Sequence, residues 1–155
     1  MTKQLWIGTA LLLAACSGGR TSEPVAPSGS PAATVKSFMQ AVADSNLAKM
    51  ASLWGTASGP ASKTNQPPDW QRRVAVMQVY LRNQSYRLTG DTPQTDQSRH
   101  DVQVELKRQT CTWSVPFVVI RLGDGSWLVN QVDLASAGNP SRPCQEGASR
   151  DSTRS

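Results

Sequence analysis

Histidine is nearly absent from this sequence: there is one, His100, and there are only three cysteines, Cys16, Cys111 and Cys144. No Cys-x-x-Cys pair and no Cys/His cluster occurs, so the ligand spacings that hold zinc are missing and no metal is expected. A single imidazole also leaves no histidine, carboxylate and nucleophile at a recognisable spacing. Ser114 and Thr112 have no partners of that kind, and no catalytic residue is assigned. There is no glycine-rich phosphate loop, and no cofactor is expected. Charged residues make up 17% of the chain, 16 basic against 11 acidic, for a formal net charge of +5. The basic residues are scattered, the densest pairs being Arg72–Arg73 and Lys107–Arg108. They lack the clustered face with interleaved aromatics of a nucleic-acid footprint, and no nucleic-acid partner is expected. Mild attraction to anionic lipid or lipopolysaccharide is the most that the sign of the charge implies. No apolar run approaches the roughly 20 residues needed to span a bilayer. The run from Leu5 to Leu13 is ended by Ser17, Gly18, Gly19 and Arg20.

That short run has a different meaning. Lys3 supplies a positive start, residues 5–13 an apolar centre, and Ala14 and Ala15 the small residues before Cys16, which is the order of a secretory signal. The segment Leu13-Ala14-Ala15-Cys16 resembles the lipobox of bacterial lipoproteins. The resemblance implies that 1–15 is a signal peptide removed before Cys16. It also implies that the Cys16 sulfur and amine carry acyl chains such as palmitate, so that the membrane is a partner through the lipid anchor. Each buried methylene contributes about 0.8 kcal/mol, and several chains together hold firmly. Ser17, not Asp, follows the cysteine. In a double-membraned cell this implies an envelope protein anchored in the outer membrane and facing the periplasm. Residues 16–30, rich in Ser, Gly and Pro, cannot bury enough surface to offset the entropy of ordering and read as a flexible tether.

The remainder holds most of the 38% hydrophobic content and reads as one modest domain over 31–137. Ser30 before Pro31 is a helix start, and Val35, Phe38, Met39 and Val42 share one helical face. Asp44-Ser45-Asn46 breaks this helix and can cap a second. Leu47, Met50, Ala51 and Trp54 form a second, stopped by Gly55. Residues 56–68 contain Pro60, Pro67 and Pro68 and read as a polar loop long enough to act as a lid. Asp69 opens a third helix with Trp70, Val74, Met77 and Leu81 on one face and Tyr80 beside it. From residue 84 the period becomes two. Tyr86 and Leu88 alternate with polar residues, 90–93 reads as a turn, and Val102, Val104 and Leu106 mark a half-exposed strand. Residues 112–122 form a longer strand in which Pro116 predicts a bulge or an unpaired position. Gly123-Asp124-Gly125 is a hairpin turn, and 127–134 is the return strand. Helices first, then about four strands, predict an α+β domain with N-terminal helices packed on one face of a curved antiparallel sheet. Residues 138–155 are expected to be mostly disordered.

Phe38, Ala41, Ala43, Asp44, Asn46, Leu47, Met50 and Trp54, with Asp124-Gly125-Ser126-Trp127-Leu128-Val129, resemble the nuclear transport factor 2-like superfamily. Cystatin-like folds are an alternative. The resemblance implies a cone-shaped domain that encloses a pocket, pairs through its sheet as a homodimer, or carries a carboxylate base, as in ketosteroid isomerase and polyketide cyclases. Asp133 shares strand parity with Trp127, Val129 and Gln131, although Leu128, Val132 and Leu134 on the opposite face look equally core-like. His100 shares parity with Val102 and Val104 at the open end of its strand, without a paired carboxylate. Asp101 belongs to a solvated face. Trp54, Trp70, Trp113 and Trp127, with Tyr80 and Tyr86, line a pocket or simply fill the core. The candidate pocket set is therefore Asp133, Gln131, His100, Trp113 and Trp127. Cys111 and Cys144 read as one disulfide in an oxidising compartment, the rival being two free thiols. The functional expectation is a non-enzymatic binding or interaction module for an apolar small molecule or an envelope protein. The alternatives are a small pocket enzyme of the isomerase, cyclase or hydrolase type, or a dimeric assembly protein.

Overall fold

Ser30 is extended and its hydroxyl oxygen accepts the Ala33 N–H at 3.2 Å, with Pro31 in the first turn, so helix α1 (Pro31–Ala43) starts where the sequence predicts. It ends in a Schellman motif. Ser45 takes a left-handed conformation at φ 52°. The Ser45 N–H reaches Val42 O at 3.1 Å, and the Asn46 N–H reaches Ala41 O at 2.9 Å. The Asn46 side chain then accepts the Lys49 N–H at 2.9 Å and caps α2 (Leu47–Leu53), so three residues close one helix and open the next. The computed structural model describes residues 29–142 and Cys144. The expected signal peptide at 1–15, the lipid attachment at Cys16, nearly all of the 16–30 tether and most of the 138–155 tail lie outside the described residues.

Helix α2 stops at Leu53, one residue earlier than its apolar spacing predicts. Trp54 is extended and forms a parallel bridge with Val129 at the sheet edge. Gly55 then enters a small hairpin, β1 (Gly55–Thr56) with β2 (Gly59–Pro60). A Cβ on Gly55 would lie 2.3 Å from Gly59 O, so glycine is needed for that close approach. The stretch read as a lid is anchored. Helix α3 (Ala61–Thr64) begins with a fully buried Ala61 whose N–H donates to Trp54 O at 2.9 Å. Helix α4 (Trp70–Leu81) buries Val74, Met77, Gln78 and Leu81, and Gln78 Nε2 donates to Ser45 Oγ at 3.0 Å, tying α4 to the α1–α2 link.

Four strands follow as an antiparallel meander: β3 (Ser85–Pro93), β4 (Arg99–Arg108), β5 (Cys111–Arg121) and β6 (Trp127–Val132). The result is the α+β arrangement expected, helices against one face of a four-stranded sheet that stays open, with β3 and β6 at its edges. The expected turn at 90–93 is instead the end of β3. A bulge at Thr89 lets the strand continue, and the chain reverses after Gln94, where Gln97 takes φ 52°. Pro116 sits in regular register opposite Gln103. Its carbonyl accepts the Asp133 N–H at 3.0 Å, so the nitrogen that lacks a hydrogen faces the β6 side just beyond the last β6 pair, where the ladder asks for no donor. The bulge in this part of the sheet is on β6, where Asn130 is the extra residue between Val129 and Gln131. The 123–125 hairpin turn forms as expected, with Gly125 at φ 84°.

Inward side chains of β4 and β5 (Val102, Val104, Leu106, Val115, Phe117 and Val119) are fully buried. Helix α1 lies across all four strands, and Phe38 meets Phe117 edge-on at 6.2 Å between ring centres. The space between helices and sheet is thus filled by side chains. Cys111 and Cys144 form a disulfide with Cα atoms 5.8 Å apart, which ties the chain beyond the last strand back to the start of β5.

Candidate binding clefts

Where the α4 helix passes the end of β6, the two elements leave a cleft of about 440 Å³. Trp54 and Met77 come to it from the core, Val132 and Leu134 from β6 and its exit, and Val76 from the exposed side of α4. Asn130 and Gln131 supply amides, while Asp69, Arg72 and Arg73 stand at the α4 end. The Asp69 carboxylate does not cap its helix. It pairs with Arg73 Nε at 2.8 Å, and that hydrogen bond holds its carboxyl below the usual range. Arg72 has no hydrogen-bond or ion-pair partner among the described residues.

Asn130 builds the wall of this cleft. As the extra residue of the bulge its peptide is turned away from the ladder. Its carbonyl accepts Trp54 Nε1–H at 3.1 Å, its Nδ2 donates to Gly55 O at 2.9 Å, and its Oδ1 accepts from Arg99 Nη2 at 3.1 Å. The bulge also separates residues that strict alternation joins. Trp127 and Val129 face the helices with Val119, but Gln131 pairs with Val118 on the other face. Gln131 is exposed and still reaches the cleft from the sheet edge. Asp133 is exposed and outside the lining of this cleft. Its carboxylate is bonded into the turn that leads to the 3₁₀ helix Ala135–Ala137, accepting the Ser136 hydroxyl at 2.6 Å and the Ala135 N–H at 3.1 Å. These bonds hold its carboxyl below the ordinary carboxylate range. Shared parity with Trp127 therefore fails as an argument for placing Asp133 in a pocket, because the count of two is broken at Asn130.

His100 has the carboxylate partner that its sequence context does not show. The Thr89 bulge turns Asp91 to the inward face opposite Val102, and Asp91 Oδ1 lies 2.6 Å from His100 Nδ1. A carboxylate accepts, so the hydrogen resides on Nδ1. The ring meets Trp127 edge-on at 4.9 Å, and the His100 side chain is 18% exposed. Sequence reasoning missed Asp91 because 90–93 was read as a turn. A glycine inside an alternating pattern was the available sign of a bulge. Among the described residues no hydroxyl or thiol is hydrogen-bonded to His100. Ser114 bonds Gln103 Oε1 at 3.3 Å on the outer face, and Asp101 accepts from Gln94 Nε2 at 3.0 Å.

Trp54, Trp70, Trp113 and Trp127 do not converge on one pocket. Trp54 and Trp127 are core members, 7% and 8% exposed, whereas Trp70 and Trp113 are half-buried at its margins. Trp113 carries the Arg108 guanidinium 4.4 Å above its ring and lines a second cleft of about 290 Å³ at the opposite end of α4. Among the described residues no helix is long and apolar enough to cross a membrane, and no cluster of three or more His, Cys, Asp or Glu is placed to hold a metal. Comparison of the chain with family models, curated proteins and solved structures returns no match.

Proposed function

We propose that the chain is a lipid-anchored envelope protein whose domain, of the nuclear transport factor 2-like kind, is a non-enzymatic binding module. The anchor is Cys16, and the site is outer-membrane and periplasm-facing where the cell has two membranes. The observation that carries the binding reading is the cleft between α4 and β6, with an apolar floor of Trp54, Met77, Val132 and Leu134 and with Asn130, Gln131, Asp69, Arg72 and Arg73 at its margin. That composition suits an apolar ligand, or an apolar side chain of an envelope protein, with amides to orient it. N-phenyl-1-naphthylamine is a suitable neutral probe. It should bind the full chain, and Val76→Trp, which fills the cleft from an exposed position, should weaken binding at least tenfold without loss of stability. Equal binding to both forms would overturn the cleft assignment. The anchor is tested separately: Cys16→Ser should abolish acyl labelling and release the protein from membranes.

A second reading, a small isomerase, cyclase or hydrolase, has one observation in its favour, the His100–Asp91 pair. An imidazole whose tautomer is fixed by a carboxylate is equipped for proton transfer. On that reading His100→Gln abolishes turnover while leaving probe binding intact. The homodimer reading has less support. The outer sheet face exposes Thr112, Ser114 and an Arg87–Glu105 pair, and its apolar Ile120 and Leu128 are already buried.

A further inference from the structure

The second cleft, formed where the end of α4, the β4–β5 hairpin and the disulfide-tethered tail meet, is lined by three arginines, Arg82, Arg108 and Arg142, and, among the described residues, by no carboxylate. Like charges brought to one small concavity repel each other, and no described residue of the lining offsets them. Arg108 sharpens the point. Its guanidinium lies over Trp113 and Nη2 donates to the Ala137 carbonyl, but Nε and Nη1 are buried with no acceptor among the described residues. Arg82 and Arg142, by contrast, are exposed, and a planar guanidinium with open donors is matched by a tetrahedral oxyanion, which accepts two parallel N–H bonds from one arginine and more from its neighbour.

The tail completes the cleft. Asn139 Oδ1 accepts the Ser141 N–H at 2.8 Å and its carbonyl accepts the Arg142 N–H at 3.2 Å, a tight turn that presents Arg142 two residues before Cys144. The bridge to Cys111 holds this turn against the hairpin. Gly138 is required for the approach, since a Cβ there would lie 2.3 Å from Trp113 Nε1, and its φ of 67° disfavours other residues. One arginine of the three, and one wall, are therefore delivered by the disulfide.

We propose that this cleft is a binding site for a phosphate group, gripped by Arg82 and Arg142 beside the charged Arg108–Trp113 stack and assembled by the Cys111–Cys144 bridge. The phosphate comes from a soluble compound or from a lipid headgroup, and the two are separable with probes that stay monomeric and do not report on the acyl anchor. Titration calorimetry of the full oxidised chain with inorganic phosphate and with dihexanoyl phosphatidic acid is the test. Both should bind. Arg82→Gln and Arg142→Gln should each weaken binding at least tenfold, and reduction of the disulfide should do the same. Lys49→Gln, an equal change of charge on α2, outside the cleft lining, should change it less than twofold. Phosphatidic acid bound ten times more tightly than inorganic phosphate identifies a lipid headgroup, and equal affinities identify a soluble phosphate. No binding of either probe, or equal losses in Arg142→Gln and Lys49→Gln, overturns the proposal. Because α4 separates this cleft from the apolar one, the neutral probe should bind all these variants unchanged.

Discussion

The Asn130 side chain ties β6, the α2 exit and β4 together. Both ends of its amide are used, one on Gly55 O and the other on Arg99. Asn130→Ala leaves a partly buried carbonyl without its donor and should cost about 2 kcal/mol, read as a lower urea midpoint at unchanged slope. A change below about 0.5 kcal/mol would mean that water replaces the amide at both positions. Aspartates do comparable work at the turns. Asp96, Asp124 and Asp133 each accept a serine hydroxyl, from Ser98, Ser126 and Ser136, together with backbone N–H groups, and each carboxyl is held below its usual value, the serine hydrogen bond being the largest cause. A carboxyl whose folded-state value is depressed stabilises the fold fully above its unfolded value, about 4, and loses that contribution as the pH falls through the folded value. Stability should therefore hold from pH 7 to about pH 5 and then decline. The triple variant with Asn at all three positions should lose less on acidification, and an unchanged pH slope in urea titrations would show that other groups govern it.

At the scale of elements, what was legible in the sequence is what local chemistry decides. The Ser30 and Asn46 caps, the apolar faces of α1 and α4, and the 123–125 turn depend on residues a few positions apart, and they stand where their patterns put them. The two bulges depend on which strand lies opposite, and alternation alone does not reveal them. They decide the candidate sites. At Thr89 a bulge brings Asp91 to His100, and at Asn130 one sends Gln131 to the outer face. Gln131 still borders the apolar cleft, although the parity argument that nominated it does not hold. Since Thr89 is the surplus residue, deleting it restores regular alternation while leaving Asp91 opposite Val102. The expected outcome is a folded protein within about 1 kcal/mol of the parent, with the His100 Nδ1–H resonance retained. Loss of that resonance in a folded deletion variant would show that the bulge geometry itself, not the face, joins the pair.

For the whole molecule, the order of elements was enough to read the class, because helices that precede a meander have only the faces of that one sheet on which to bury their apolar stripes. The binding clefts were less legible, since both lie at junctions between distant segments: α4 with the exit of β6, and the α4 end with the β4–β5 hairpin and the tail. The disulfide makes one of these joins covalent, between cysteines 33 residues apart. Closing a loop of that length restricts the unfolded chain and should stabilise the fold by roughly 3–4 kcal/mol in the chain-entropy model. The alternative is local. If the turn around Asn139 frays readily, the bridge holds only the tail, and unfolding of the sheet is indifferent to it. Urea unfolding with and without reductant separates the two. A loss of roughly 3 kcal/mol on reduction, matched by Cys111→Ser, places the bridge within the cooperative unit. A loss below about 1 kcal/mol, with the Trp113 signal alone shifted, confines its effect to the second cleft.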